Sequence, residues 1–215
     1  MGPASAPTLA ALPTDWSQRL QAVLAKVPRP ADQARLTGLL PEGPTTPAAV
    51  LLAISEGACG PALLLTKRAG HLRQHAGQIS FPGGRIEPGD AGALAAALRE
   101  THEEIGIEPG FVEPLGYLQG QLVLTGFSIT PVVARLRPGY RLQVDATEVA
   151  EVFELPLAVV AEAASFRTMP RQVRGVELLL HELPWAGHVI WGATAGMLLS
   201  LHDVLQLALA EAGRP

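Results

Sequence analysis

The sequence predicts an α/β protein, and three observations support this fold class. Short apolar segments bounded by glycine and proline, which are typical of strands, recur through most of the chain. One amphipathic helix is predicted in the middle of them, between Asp90 and Gly106, and further helices are predicted near both ends. Helices before, between and after strands favour a layered fold in which helices cover both faces of a sheet.

The remaining elements are predicted from periodicity and from chain breakers. Residues 14–26 have the apolar periodicity of a helix, which Pro28 and Pro30 end. Before the central helix, the predicted elements are strands at 47–55 and 61–67 that form a hairpin, a loop at 68–80 and a short strand at 79–81. After it, they are strands at 111–118 and 121–136 around a turn at Gly120 and Gln121, a short helix at 156–164, strands at 173–183 and 187–191, and a helix at about 193–211.

Composition excludes several classes of protein. A length of 215 residues favours one domain, predicted over 13–215 after an Ala/Pro-rich, disordered segment at 1–12. A net charge of −4 argues against a surface that binds nucleic acid through its phosphates. No uncharged apolar run reaches about 18 residues, so no membrane span is expected. One cysteine, Cys59, and no convincing signal peptide indicate a cytoplasmic protein, monomeric or oligomeric.

Four charged residues on the central helix carry the strongest functional signal. Glu100, Glu103 and Glu104 share one face of the helix next to Arg99, and their spacing places them about 5–6 Å apart. Three carboxylates at this distance repel one another and destabilise a bare helix. Hard divalent cations are held by carboxylates together with substrate phosphates. The cluster therefore predicts a site for Mg²⁺ or Mn²⁺ that acts on a diphosphate.

The same helix has a narrow apolar face that can pack on a core. Asp90 is placed to be its N-cap, and Gly106 is a typical terminator. The apolar face consists of Leu94, Ala97, Leu98, Thr101 and Ile105. A solvated charged face is the usual explanation of such a cluster. The glycine-rich segment before the helix and the adjacent Arg99 favour the metal site instead.

The segment from Gly84 to Ile107 resembles the Nudix box, in which a glycine and a glutamate precede the motif Arg-Glu-apolar-x-Glu-Glu-x-Gly-apolar. The C-terminal part of the box matches at Arg99, Glu100, Thr101, Glu103, Glu104, Gly106 and Ile107, with Thr101 in place of an apolar residue. The early glutamate falls on Asp90, and eight residues instead of seven separate it from Arg99. The resemblance implies an α/β/α sandwich with a mixed central sheet and a hydrolase that cleaves diphosphates.

A second pattern lies directly upstream of the box. It runs through Leu64-Leu65-Thr66, Arg68-Ala69, Arg73, Gly77 and Phe81-Pro82-Gly83-Gly84, and it resembles the signature of the coenzyme A pyrophosphatase subfamily of Nudix hydrolases. Further likeness to this subfamily occurs at 130–133, 148–152 and 190–195. The resemblance implies cleavage of coenzyme A or a derivative to 3′,5′-ADP and 4′-phosphopantetheine. The alternatives are another Nudix specificity, such as ADP-ribose or NADH, and a nucleotide-binding module without activity.

The Nudix resemblance also implies roles for individual residues. Glu100 and Glu104 are expected to bind the metal, with Glu103 as a shared ligand or as the base, and Arg99 is expected to orient the carboxylates. A base from a later loop is the alternative. Glu148 and Glu151 are its candidates, and Glu151 is the one we expect to be catalytic. A backbone carbonyl of Gly83 or Gly84 is expected to be a further ligand.

The basic loop before the box is expected to bind substrate. Arg68 and Arg73 are candidates for the 3′-phosphate of coenzyme A, because arginine binds phosphate in a bidentate manner, and Gln78 is a third candidate. His71 and His75 lie in the same loop but are weaker candidates. His102 is expected to be exposed, and Trp191 is expected to lie in the core because large aromatic residues mostly pack.

Overall fold

The computed structural model describes residues 12–27, 44–57, 60–72, 75–173 and 175–210. Several predictions fall outside these ranges. They concern disorder over residues 1–11, the helix break at Pro28 and Pro30, the environment of Cys59 and the role of Arg73.

The described part of the chain contains four α-helices, eleven strands and two short 3-10 helices, at Pro109–Phe111 and Ala163–Ser165. The helices are α1 (Trp16–Leu24), α2 (Ala93–Ile105), α3 (Leu157–Ala161) and α4 (Gly192–Ala210). The strands before α2 are β1 (Thr46–Gly57), β2 (Gly60–Arg68), β3 (Ile79–Ser80) and β4 (Gly83–Arg85). Those after it are β5 (Val112–Tyr117), β6 (Gln121–Leu122), β7 (Phe127–Leu136), β8 (Val149–Pro156), β9 (Arg167–Val173), β10 (Val176–Trp185) and β11 (His188–Trp191).

Strands β1 to β8 form one mixed sheet, in which β1 runs parallel to β7 while the other pairs are antiparallel. β1 and β2 pair as a hairpin only near their turn, from Ile54 opposite Leu63 to Gly57 opposite Gly60. Beyond this point the two strands diverge. β3 pairs with β2 and β4 pairs with β1, so residues 79–85 fill the gap between the diverging strands. We call residues 79–85 the wedge.

The helices pack on opposite faces of this sheet. Side chains alternate between faces along a strand, and in β1 both sets are buried because both faces are covered. Ala49, Leu51 and Ala53 belong to the core under α2. Val50, Leu52 and Ile54 belong to the core under α1 and α4. The arrangement confirms the predicted α/β/α sandwich with a mixed central sheet.

Strand predictions were wrong in two regions of the chain. The predicted strand at 121–136 is two strands, β6 and β7, separated by a turn in which Gly126 has a positive φ of 88°. Strands β8 and β9 were not predicted at all. In β8 the pattern is broken by Glu151 and Glu154, and β9 contains only isolated apolar residues because most of it is exposed.

The last helix is apolar enough to resemble a membrane span. By length and composition α4 is a candidate, but half of it is buried inside the protein. Leu198 and Leu201 are fully buried in the core shared with α1. A helix of a protein core has the same composition, so the apolar character of α4 is accounted for by its packing.

Candidate active site

The wedge brings two glycines against the carboxylates of α2. The backbone N–H of Gly83 donates a hydrogen bond of 3.2 Å to Oε2 of Glu104. A Cβ atom on Gly84 would lie 2.7 Å from Oε2 of Glu100, so only glycine leaves room for that carboxylate. The segment predicted as a glycine-rich loop is therefore partly a strand, and it lines the site with backbone.

Glu104 is the most buried carboxylate of the group. Its side chain is 5 % exposed, so it does not lie on a solvated charged face. Burial raises the pKa of Glu104 to about 7, against the opposing effects of the Gly83 N–H and Arg68. Burial also raises the pKa of Glu100. In the metal-free protein, the neighbouring positive groups do not offset the cost of burying a negative charge on either carboxyl group, so ionisation of both is disfavoured.

Arg99 organises the rest of the acidic face. Its guanidinium donates hydrogen bonds to Glu100 at 3.0 Å, to Glu103 at 3.0 Å and to both carboxylate oxygens of Asp90 at 3.1 Å. The prediction of Asp90 as N-cap was wrong: α2 starts after Gly92, which has φ of 109° and no side-chain cap. The carboxylate of Asp90 instead binds Arg99, which holds the pKa of Asp90 below its usual range. Arg99 therefore has the contacts expected of an orienting residue.

Of the two later carboxylates, Glu148 and not Glu151 lies close to this cluster. The charge on Glu148 contributes to the raised pKa values of both Glu100 and Glu104. Glu151 lies opposite Lys67 on the other face of the sheet, where its carboxylate is 3.4 Å from Nε2 of His188. The strand register therefore separates Glu151 from α2.

A turn anchored on α2 places Glu148. The N–H of Asp145 donates to the carbonyl of Glu104, and the carbonyl of Asp145 accepts from the N–H groups of Glu148 and Val149, all within 3.0 Å. The carboxylate of Asp145 closes the turn by accepting from Thr147 N at 2.8 Å and Thr147 Oγ1 at 2.7 Å. No sequence motif indicated this connection, because it depends on backbone groups far apart in the chain.

Of the residues that the sequence predicted to bind substrate, Arg68 lies at the carboxylate cluster, whereas the side chain of Gln78 binds another residue of its own loop. Nη1 of Arg68 is 3.8 Å from Oε1 of Glu104, so Arg68 lies at the carboxylate cluster. Gln78 is nearby in sequence, but its side chain accepts a hydrogen bond from Nδ1 of His75 at 2.7 Å. His102 is exposed and contacts Glu108, as expected. Trp191 is 40 % exposed, so the prediction that it lies in the core was wrong.

The donor set fits a hard divalent cation. Within the described ranges, no three His, Cys, Asp or Glu side chains are already gathered as a closed metal site. Mg²⁺ needs no such cage, since it keeps several waters and is usually held by one or two carboxylates plus substrate phosphates. Glu104 and Glu100, which lie against Gly83 and Gly84, are the residues that would hold it. Within the same ranges, Nε of Arg68 is buried without a hydrogen-bond partner, which suits a phosphoryl oxygen.

Comparison with known proteins identifies the family. Residues 44–174, more than half of the chain, match the model of the NUDIX domain. The chain belongs to the Nudix family. It is 44% identical over 142 residues to a protein of Enterobacter sp. (strain 638) named as an uncharacterized Nudix hydrolase, NudL, covering 66% of this chain and 73% of the relative. The NudL protein of Citrobacter koseri is 41% identical over 155 residues, covering 72% and 80%.

A solved structure of a MutT protein from Methanosarcina mazei Go1 is also similar, with a TM-score of 0.47 and 19% identity over 81% of this chain and 99% of that one. The family assignment rests on the domain match and the NudL relatives. This protein is therefore a Nudix hydrolase, and hydrolysis of pyrophosphate bonds in small nucleotide substrates, generally with a divalent metal ion, is the reaction of its family.

The two wedge glycines are expected to respond differently to alanine. Gly83 has φ of 149°, and a Cβ there would lie 2.6 Å from Cα of Val50, so Gly83→Ala should lower the free energy of unfolding by about 2–4 kcal/mol. Gly84→Ala displaces only the mobile end of Glu100 and should lower Mg²⁺-dependent kcat about ten- to a hundredfold with under ~1 kcal/mol lost in stability. Urea unfolding and kinetics of both variants test this; equal instability of the two would contradict it.

The raised pKa of Glu104 predicts an unusual pH dependence of stability. The folded protein keeps a proton on Glu104 up to about pH 7, whereas an unfolded glutamate loses it near 4.5. The metal-free protein should therefore lose stability as the pH rises from about 4.5 through 7, by up to about 3 kcal/mol at about 1.4 kcal/mol per pKa unit. Asp90 and Asp145 have pKa values lowered from 3.8, so their effect on stability falls below pH 4.5 and does not overlap with that of Glu104.

Thermal unfolding between pH 5 and 8, with EDTA or with Mg²⁺, measures this effect. Mg²⁺ should stabilise the wild-type protein increasingly above pH 6, because the cation replaces the proton on Glu104. Glu104→Gln should be more stable than wild type in EDTA at pH 8 and should gain less from Mg²⁺. A pH slope in EDTA that is identical in the two proteins would contradict the assignment.

Proposed function

We propose that this protein is a Mg²⁺- or Mn²⁺-dependent pyrophosphohydrolase that cleaves coenzyme A or its derivatives to 3′,5′-ADP and 4′-phosphopantetheine, and that it acts in the cytoplasm. The single observation that carries the substrate assignment is the signature upstream of the Nudix box, which matches over residues 64–84. The site geometry supports the diphosphate chemistry.

Three further signature residues have a structural explanation in or beside the wedge. Thr66 is buried, and its hydroxyl lies 3.2 Å from both the carbonyl and the hydroxyl oxygen of Ser80, so it ties β3 to β2. Phe81 is buried in the core under α4. The carbonyl of Pro82 accepts from Leu51, which fixes the wedge to β1. These residues hold the wedge in place beside the metal site. Substrate binding is therefore assigned to the arginines of the signature.

Arg68 is assigned to the diphosphate. Its guanidinium lies at the carboxylate cluster, on the face of β2 that points towards α2, and its buried Nε has no hydrogen-bond partner among the described residues. A bound metal would act as a Lewis acid on the phosphoryl oxygens and lower the pKa of a bound water. Arg68 then adds positive charge beside the same oxygens, while Gly83 and Gly84 allow the diphosphate to approach the backbone closely.

A panel assay tests the proposal. Coenzyme A, oxidised coenzyme A, acetyl-CoA, ADP-ribose, NADH and a diadenosine polyphosphate are each incubated with Mg²⁺ and with Mn²⁺, and products are identified by mass. The highest kcat/KM is expected for a coenzyme A form, with 3′,5′-ADP released. A preference for ADP-ribose or NADH would leave the Nudix activity intact but overturn the substrate assignment. Absence of turnover on all six would favour a binding module.

A further inference from the structure

A cleft lies at the end of the wedge, on the far side of β4 from the metal site. It has a volume of about 510 Å³ and is lined by Thr46, His75, Arg85, Thr125 and Phe127. Arg85 ends β4, directly after Gly84, which lies against Glu100 of α2. Because side chains alternate along a strand, Arg85 points to the opposite face of the sheet from Glu100.

Arg85 is a cation without a carboxylate partner in the described residues. Its guanidinium lies 5.6 Å from the centre of the Phe127 ring, an interaction that fixes its position without neutralising its charge. Its backbone carbonyl accepts a hydrogen bond of 3.1 Å from Nη2 of Arg99. The residue that organises the acidic face thus also holds the backbone of Arg85, and the two sites are joined by one short strand.

The other residues of the cleft suit the same kind of ligand. His75 has φ of 58°, a strained conformation for a non-glycine residue, and such strain often occurs at ligand sites. Its Nδ1 is occupied by Gln78, which leaves Nε2 for a ligand. Thr46 and Thr125 contribute hydroxyl groups. A guanidinium, an imidazole and two hydroxyls together are suited to a phosphate ester.

We propose that this cleft is a second anion subsite, which binds a phosphomonoester group that the substrate carries away from its diphosphate. The proposal rests on the proposed function, since coenzyme A has such a group at its 3′ position. It assigns recognition of that group to Arg85 and His75, whereas the sequence had suggested Arg68 and Arg73. The proposal requires the substrate to pass from the metal site to the cleft around the end of β4, which is only three residues long.

Equilibrium binding tests the subsite without turnover. The full-length protein is titrated with adenosine 3′,5′-bisphosphate and with adenosine 5′-monophosphate by calorimetry. The wild-type protein is expected to bind the bisphosphate at least about tenfold more tightly. Arg85→Gln, which keeps part of the side chain over Phe127, and Arg85→Ala should each reduce this ratio to about two. His75→Ala should reduce it less.

Arg137→Ala is the matched control. Arg137 is exposed just beyond the other end of β7 from Phe127, so its loss removes the same charge about 30 Å away, at about 3.3 Å per residue. This variant should keep the wild-type ratio. An unchanged ratio in both Arg85 variants, or equal losses for the two nucleotides, would overturn the proposal.

Turnover separates this inference from the proposed function. Coenzyme A and 3′-dephospho-coenzyme A are compared as substrates, and Arg85→Gln should lower kcat/KM about ten- to a hundredfold only for coenzyme A. If the wild-type enzyme cleaves neither, the proposed function fails, while the ratio of nucleotide affinities still tests the cleft. If it cleaves both and Arg85→Gln affects neither, the cleft proposal fails alone.

Discussion

Replacing Glu104 by glutamine is expected to lower kcat by about a hundred- to a thousandfold in a protein that remains folded. Glu104 is buried, accepts a hydrogen bond from the Gly83 N–H and lies close to Arg68, so these contacts hold its carboxylate in a fixed position within the site. Glutamine keeps the shape and accepts the same hydrogen bond but removes the charge that a cation requires. Loss of one preorganised electrostatic contact typically has this magnitude. Glu100→Gln should have a similar effect, because its carboxylate lies against Gly84.

Kinetics at saturating Mg²⁺ measure the loss of kcat, and calorimetric titration of Mg²⁺ measures the loss of metal affinity. Glu108→Gln is the control, since Glu108 is exposed beyond the C-terminus of α2 and its carboxylate is paired with His102. It should retain wild-type kcat. Near-normal turnover of Glu104→Gln or Glu100→Gln would remove that residue from the metal site.

The positions of Glu100 and Glu104 on one helix face could be predicted from sequence because they depend on local geometry alone. The spacing of i and i+4 is sufficient to place them together. The apolar face of α2 was predicted for the same reason, and Ala97, Thr101 and Ile105 are buried as expected. What periodicity could not show was the depth of Glu104, which is set by the wedge packing over it.

Errors in the prediction arose where tertiary contacts replace local ones. Asp90 has the residue type and position of an N-cap, but the long side chain of Arg99 reaches back to it and forms two hydrogen bonds. β8 carries too many charged residues to resemble a strand, yet β2 supplies a partner along its whole length. In both cases a contact outside the local segment determines the structure, and the local pattern does not show that contact.

The same limitation led us to favour Glu151 over Glu148 from sequence, although Glu148 is the one near the cluster, and the structure turns the two carboxylates into a matched pair. Glu148→Gln is expected to lower kcat by about a hundred- to ten-thousandfold if Glu148 acts on the attacking water, the usual range for loss of a general base. Glu151→Gln should change kcat less than about threefold, because Glu151 is 44 % exposed on the opposite face beside His188. The two changes are chemically identical and three residues apart.

The pH dependence of kcat distinguishes a base from a metal ligand. If Glu148 is the base, Glu148→Gln should lose the acidic limb of the profile while Mg²⁺ affinity changes little; a ligand role would weaken Mg²⁺ binding and leave the limb in place. Glu103 is the competing candidate, because it is 56 % exposed on the acidic face, where its carboxylate accepts a hydrogen bond from Arg99. Loss of the acidic limb in Glu103→Gln, with a normal profile in Glu148→Gln, would assign the base to α2. A large loss in Glu151→Gln alone would mean that the catalytic face of the sheet is the one opposite α2.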